Sequence, residues 1–286
     1  MLVALAINVA MLAVGVVGGI LTGSLAVLAD AGHVLSDVGS IALALLAAGL
    51  ASRPAGGRRT FGYQRSEVLA ALVNGLLLVA VAVGVAVAAI GRLGDPPQID
   101  GAGVLALGVF GLAGNVAATL VLARGQREDV NLEGVLRHSA ADALGSLGVI
   151  VAGAVVLAGG SAIVDPVVGL LIAALVLASS WRLIEEPVNV LMEAAPSDLD
   201  IDEMGAAICS EEGVRSVHEL HVWTVTAGFG ALAAHVVVAR DSDRDLIRRR
   251  LEVLLHERFG IDHTTLQMEE EAGETLLQVE ETPHDP

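Results

Sequence analysis

Six long runs of almost unbroken apolar residues fill the first two thirds of the chain, at about residues 2–21, 24–51, 67–91, 101–123, 132–158 and 162–184. A bilayer core about 30 Å thick takes roughly 20 apolar residues of helix to cross, so each run predicts one transmembrane helix. Six crossings return both ends to one side. The links Leu21-Thr22-Gly23-Ser24 and Gly159-Gly160-Ser161 are short and uncharged, which predicts antiparallel hairpins joining helices one and two, and five and six. Met1 abuts the first run with no basic lead and no cleavage site, so that run is expected to be a retained helix rather than a secretory signal. After Pro196 the pattern changes. It predicts a helix from Ser197 to about Glu211, strands near 214–225 and 230–239, a helix over 244–258 and a last strand over 264–269. The order α-β-β-α-β is a small α+β layer, two helices over three strands.

The expected organisation is therefore a six-helix transmembrane domain over 1–190 and an αββαβ cytoplasmic domain over 191–270. A Glu-rich tail over 271–286 is expected to be disordered. Composition agrees: 54% of residues are hydrophobic, 17% charged and 2% aromatic, with mean hydropathy +0.70. Before residue 185 ten acids face nine arginines, and from Glu185 onward 23 acids face seven. An apolar, near-neutral block precedes an acidic, water-soluble one. An acidic chain, with pI ≈ 4.7, has no footprint for a phosphate backbone, so nucleic acid is excluded as a partner. Arg53, Arg58, Arg59, Arg65, Arg124, Arg127 and Arg182 fall on one side of the six-pass arrangement and only Arg92 on the other. The arginine-rich side is expected to be cytoplasmic and to hold the tail. The single Cys209 offers no thiolate cluster, so metal chemistry would rest on the eight His and the carboxylates.

Ionisable groups inside a bilayer cost about 2.5–3.5 kcal/mol each on insertion scales, and face a cavity or a partner when present. The second and fifth runs both carry His-x-x-x-Asp, as His33 with Asp37 and His138 with Asp142. On a helix i and i+4 share a face one turn apart, so each run offers one imidazole and one carboxylate pointing the same way. Both pairs lie near the middle of their runs, and antiparallel packing would let all four meet around one ion. Two nitrogens and two oxygens suit tetrahedral Zn²⁺, with Cd²⁺ and Co²⁺ open. Mg²⁺ or Ca²⁺ would want more oxygen. The competing reading is polar glue between helices. Asp30 is expected either to line the outer vestibule or to snorkel, while Asn8, Asn74 and Asn115 are expected to hydrogen-bond between helices. Gly15, Gly18, Gly19, Gly145 and Gly148 are expected to permit close packing.

Five ordered stretches carry a resemblance over nearly the whole chain. They are Ser24-Leu-Ala-Val-Leu-Ala-Asp-Ala-Gly-His33-Val-Leu-Ser-Asp37, Thr60-Phe-Gly-Tyr-Gln-Arg-Ser-Glu67, Leu136-Arg-His138-Ser-Ala-Ala-Asp142-Ala-Leu-Gly-Ser146, Asp165-Pro166 and Val217-His218-Glu-Leu-His221-Val-Trp223. The chain resembles the cation diffusion facilitator family of metal-ion/proton antiporters. The resemblance implies that His33, Asp37, His138 and Asp142 form the transport site, that the set is of the zinc type, and that the protein is a homodimer with cytoplasmic termini. It implies a ferredoxin-like, metallochaperone-shaped tail, with His218, His235 and Glu269 at metal-binding positions and His263 as a further candidate. Gln267 stands where some members have another His. The segment 52–65 holds no His or Cys, so no extra site is expected there. The short connection at 124–130 has no His-rich insert, which resembles the bacterial exporters of the cell membrane.

The function expected is export of Zn²⁺ from the cytoplasm in exchange for protons, since ligation needs neutral imidazole and ionised carboxylate. Zinc is then the transported substrate and, at the tail, a regulatory ligand. An intramembrane metalloenzyme would need an open coordination position and a general base, and the sequence has no His-Glu-x-x-His and no spare intramembrane Glu near the four ligands. A metal sensor that binds without transporting is the other alternative.

Overall fold

A computed structural model describes residues 2–51, 53–125, 132–226 and 228–270, with side chains described except at 2–4, 51, 121–125 and 132–141. The chain divides into two units, Met1–Val188 and Asn189–Pro286. The Glu-rich tail at 271–286 lies outside the described residues.

The first unit is helical: α1 (Leu2–Thr22), α2 (Leu25–Ala51), α3 (Ser66–Arg92), α4 (Gly101–Gly125), α5 (Leu132–Leu157) and α6 (Val164–Leu191). Five of these are long and apolar enough to cross a membrane, and the described side chains of α5 add a shorter apolar stretch over Asp142–Leu157. Large side chains such as Val17, Leu21, Val87, Leu171 and Leu175 are exposed, as hydrocarbon-facing positions are.

Helices α1, α2, α4 and α5 pack against one another, and α3 packs on α2. Contact is close because glycines remove side chains from the seams. A Cβ added at Gly153 of α5 would lie 2.4 Å from the Leu105 nitrogen of α4, and one at Gly108 of α4 would lie 2.8 Å from the Ile150 nitrogen of α5. Gly15, Gly18, Gly19 and Gly148 similarly press on Ala31, Leu107, Leu28 and Val168. At the end of the bundle holding the α1–α2 turn, Gly23 takes φ +73°. Its carbonyl accepts from Arg92 Nη1 at 2.6 Å, which ties the end of α3 to that turn. The Asp100 amide donates to Thr22 O at 3.3 Å, bringing in the start of α4. An apolar cluster of Ala26, Val27, Ala29, Leu78, Ala82, Val104, Val149, Ala152, Val168 and Ile172 fills this half of the bundle.

The second unit contains α7 (Ile201–Cys209), β1 (Val214–Thr226), β2 (Phe229–Val238), α8 (Arg244–Phe259) and β3 (His263–Glu270). The sheet order is β1-β2-β3, with β1 antiparallel and β3 parallel to β2. Met204 and Ile208 of α7 and Ile247, Leu251 and Leu255 of α8 bury the face of β2 made by Leu232, Ala234, Val236 and Val238. The intervening residues of β2 face away from the helices. Helix α7 starts later than Ser197. Of the two aspartates flanking Leu199, the second caps the helix, its carboxylate accepting from the Asp202 and Glu203 amides. Helix α8 begins at the Asp243 cap and ends at Gly260, whose φ of +67° closes the last turn.

Candidate metal centre

In the membrane unit, His33 and Asp37 lie one turn apart on α2 and face α5. His33 Nε2 is 2.6 Å from Asp142 Oδ1, with the two side chains 18% and 12% exposed. Ligand atoms of His33, Asp37 and Asp142 all fall within 4.8 Å of one another. That spacing suits one small cation, whose ligands at about 2.0–2.2 Å from its centre lie some 3–4 Å apart. Asp37 is thirteenth along the 27-residue α2 and Asp142 eleventh along the 26-residue α5, so the group sits midway along both helices. His138 lies on α5 one turn before Asp142, and its side chain lies outside the described residues.

Neighbouring helices brace the group. Asn74 of α3 donates Nδ2 to Ser36 Oγ at 3.1 Å and to Ser40 Oγ at 2.7 Å, holding α2 on either side of Asp37. Asn115 of α4 donates to Ser146 Oγ on α5 at 3.2 Å, one turn from Asp142. Both asparagines are interhelical links, as their sequence setting leads one to expect.

Asp30 lies one turn from His33, on the side of the apolar cluster. It points into the bundle rather than towards a surface, so snorkelling does not describe it. A Cβ at Gly145 of α5 would come within 2.9 Å of its carboxylate, and one at Gly111 of α4 within 3.3 Å. These glycines make room for an anion as well as for a helix. Asp30 also lines a cavity of about 20 Å³ with Met11, Gly15, Val34 and Phe110, roughly the space of one water.

Sequence reasoning assigned no role to Asp165 beyond its place in a motif. At 1% exposure it is the most deeply buried carboxylate described. Its Oδ1 accepts the Ser24 hydroxyl and the Ala26 amide at 3.3 Å, and its Oδ2 accepts the Leu25 amide at 2.7 Å. The available signal was Asp-Pro at the start of an apolar run, the composition of a first helical turn.

The second cluster lies on the helix-free face of the cytoplasmic sheet. His218 pairs with His235 across β1 and β2, and His235 pairs with Gln267 across β2 and β3. Glu269 is two residues beyond Gln267 and so on the same face. Its carboxylate is 2.7 Å from His235 Nδ1 and 3.2 Å from His218 Nε2, and the three form a ligand-capable group. Gln267 Nε2 donates to Glu269 Oε1 at 2.7 Å. The hydrogen bond from Gln267, then those from His235 and His218, hold the Glu269 carboxyl below its ordinary value of 4.5. Glu219, with φ +49° at the irregularity between His218 and His221, brings a second carboxylate to 3.4 Å from His235 Nε2. Strand periodicity alone does not signal it. His263 shares the face but pairs with Ala231 at the far end of β3, about 20 Å from Glu269 at ~3.3 Å per residue. It stacks edge-on against Phe229 and stands apart from the group. The cluster forms across the sheet face rather than at an edge.

A half-buried His/Asp group midway along two packed apolar helices, in a chain that also carries an acidic α+β unit with its own His/Glu group, is what a multipass metal-cation transporter requires. Residues 1–192 match the family model of the cation efflux transmembrane domain, and residues 196–271 match that of the cation efflux protein cytoplasmic domain. The chain belongs to the cation efflux, or cation diffusion facilitator, family, a family of transporters and not of enzymes. It is 39% identical to the metal cation efflux system protein CzcD of Cupriavidus metallidurans, over 93% of this chain and 85% of that protein. It is 38% identical to the cadmium, cobalt and zinc/H(+)-K(+) antiporter of Bacillus velezensis, over 88% and 82%. It is also 38% identical to the zinc transporter ZitB of Escherichia coli, over 94% and 86%. Among solved structures, the metal-bound C-terminal domain of the CzcD transporter from Cupriavidus metallidurans is 33% identical, covering 25% of this chain and 99% of that one at a TM-score of 0.24.

Proposed function

We propose that this protein exports Zn²⁺ from the cytoplasm in exchange for protons, carrying the ion on His33, Asp37, His138 and Asp142. The carrying observation is the convergence of His33, Asp37 and Asp142 donor atoms within 4.8 Å midway along two apolar helices. Ligation needs a neutral imidazole and ionised carboxylates, so metal and protons compete for the same atoms. Histidine, with an ordinary pKa near 6.5, exchanges its proton over physiological pH. In alternating access, the group loads from the cytoplasm and protons from the opposite side displace the cation. The apolar cluster that includes Ala26, Val27 and Val168 lies beyond Asp30, towards the α1–α2 turn. The mixed nitrogen and oxygen donors favour Zn²⁺. Relatives named for cadmium, cobalt and zinc make Cd²⁺ and Co²⁺ the ions to test beside it.

The protein is read as a homodimer of the bacterial inner membrane with both termini cytoplasmic, and the arginine asymmetry supports that orientation. His218, His235 and Glu269 are read as a regulatory zinc site. Zinc uptake into proteoliposomes driven by a pH gradient tests the transport site. Asp142→Ala is expected to lower the rate at least 100-fold, and undiminished proton-driven uptake would refute the assignment.

A further inference from the structure

Helix α2 begins with three amides that no helical carbonyl can serve. Val27 N donates to Ser24 Oγ at 3.1 Å, the usual cap from the chain's own residue. The other two, Leu25 N and Ala26 N, donate to Asp165 of α6, and the Ser24 hydroxyl donates to the same carboxylate. All three of these amides are thus satisfied, and two of them depend on a residue some 140 positions away. Ser24 and Asp165 are both sealed, at 0% and 1% exposure, beside the apolar side chains of Ala26, Val27 and Val168. The positive end of the α2 dipole faces the carboxylate. Parting the two helices here would strand an anion and three donors among apolar atoms, a state strongly disfavoured in a dry interior.

Elsewhere α2 packs closely on α1 and α3, largely through apolar and small side chains, contacts that can slide without stranding a charge. Towards its other end it meets α3 through the Asn74 amide and α5 through His33 and Asp142. His33 and Asp37 lie 8 and 12 residues beyond Leu25, about 12 and 18 Å along the axis. Turning α2 by about 10° at its capped end shifts Asp37 by about 3 Å, enough to open a shell of bonds near 2 Å.

We propose that Asp165 is a positioning residue for transport: by capping α2 from α6, it makes this end of α2 a fixed pivot about which the helix bearing His33 and Asp37 swings. This rests on the transport site proposed above. The cap persists through the cycle while the ligands part and rejoin.

The test uses the full chain with Cys209→Ser, reconstituted in proteoliposomes with Zn²⁺ as the probe. A Cβ built at Gly169 of α6 lies 3.4 Å from that of Leu25, close to the separation that a disulfide spans. Leu25→Cys with Gly169→Cys therefore staples the pivot. The oxidised form is expected to transport within twofold of its own reduced form. Asp165→Asn is expected to lower the maximal rate at least tenfold, and the staple to restore most of it. A role in folding alone would not be rescued by a bond closed after folding. Arrest of transport by the staple in the Asp165-containing chain would overturn the proposal, and that comparison stands even where Asp165→Asn fails to fold. Native rates in Asp165→Asn, or no rescue of a folded variant, would overturn it equally. The staple comparisons, oxidised against reduced, are each within one chain, and none of the variants touches a ligand, so a transport site disproved by Asp142→Ala is a separate outcome.

Discussion

The chain places imidazole and carboxylate together twice, in surroundings that differ in almost every other respect. The membrane group stands on two helices with side chains mostly out of contact with solvent, whereas the cytoplasmic group stands on three strands with His218 47% exposed. Water can satisfy the exposed donors in any state of occupancy. Between the helices an unmet charge has less such recourse, so under the proposed function a departing cation must be replaced by something else that neutralises Asp37 and Asp142. The same two residue types thus favour obligatory exchange in one place and free equilibration in the other. Under the functional reading above, that contrast separates a carrier from a sensor.

The largest effect is expected from altering the donor set of the membrane group. His33→Asp keeps the position but replaces nitrogen by oxygen, and is expected to shift the ratio of Zn²⁺ to Mn²⁺ transport by about tenfold or more towards Mn²⁺. Competitive uptake in proteoliposomes measures it, and an unchanged ratio would remove His33 from the ligands. A smaller effect is expected in the exposed group. Gln267→Ala removes the amide that holds Glu269 and is expected to weaken zinc binding there about tenfold, with saturated transport within twofold of native. Calorimetric titration in an Asp142→Ala background isolates that site.

The smallest effect is in acid stability. The Glu269 carboxyl is lowered in the folded state, so its contribution is complete above its ordinary 4.5 and is lost as pH falls through the lowered value. The gap in unfolding temperature between native and Glu269→Gln chains, without metal, should be small but present at about pH 6 and should shrink as pH falls through the lowered value. A gap that widens in acid would contradict the assigned hydrogen bonds.

The two groups also differ in how far the sequence discloses them. A four-residue spacing on a helix fixes a shared face by geometry alone, so His33 with Asp37 was legible without any relative, and apolar flanks set the depth. His218, His235 and Glu269 come together only through strand register. Their positions were available through family likeness and not through spacing, and the same likeness brought in His263, which register carries to the other end of the strand. The Glu219 contact needs a local irregularity that alternation does not encode. The Asp165 cap went unread because its partners are backbone amides, which every residue possesses. Segment boundaries followed hydropathy closely through α5, whereas α6 runs on past the apolar run ending near 184, through Pro187 to Leu191, and α7 started late because two aspartates competed for one cap.

The glycine seam between α4 and α5 has a consequence for how this architecture tolerates change. With Gly153 pressed against the Leu105 backbone and Gly108 against that of Ile150, the two helices are indexed to each other like meshed teeth. One residue inserted between Asp142 and Gly153 would rotate the carboxylate by about 100° around its own axis, away from His33, while leaving every composition-based measure of the segment unaltered. Length variation in descendants of this chain should therefore accumulate outside the stretch from Asp142 to Gly153, and alignments of the family should show that stretch free of gaps.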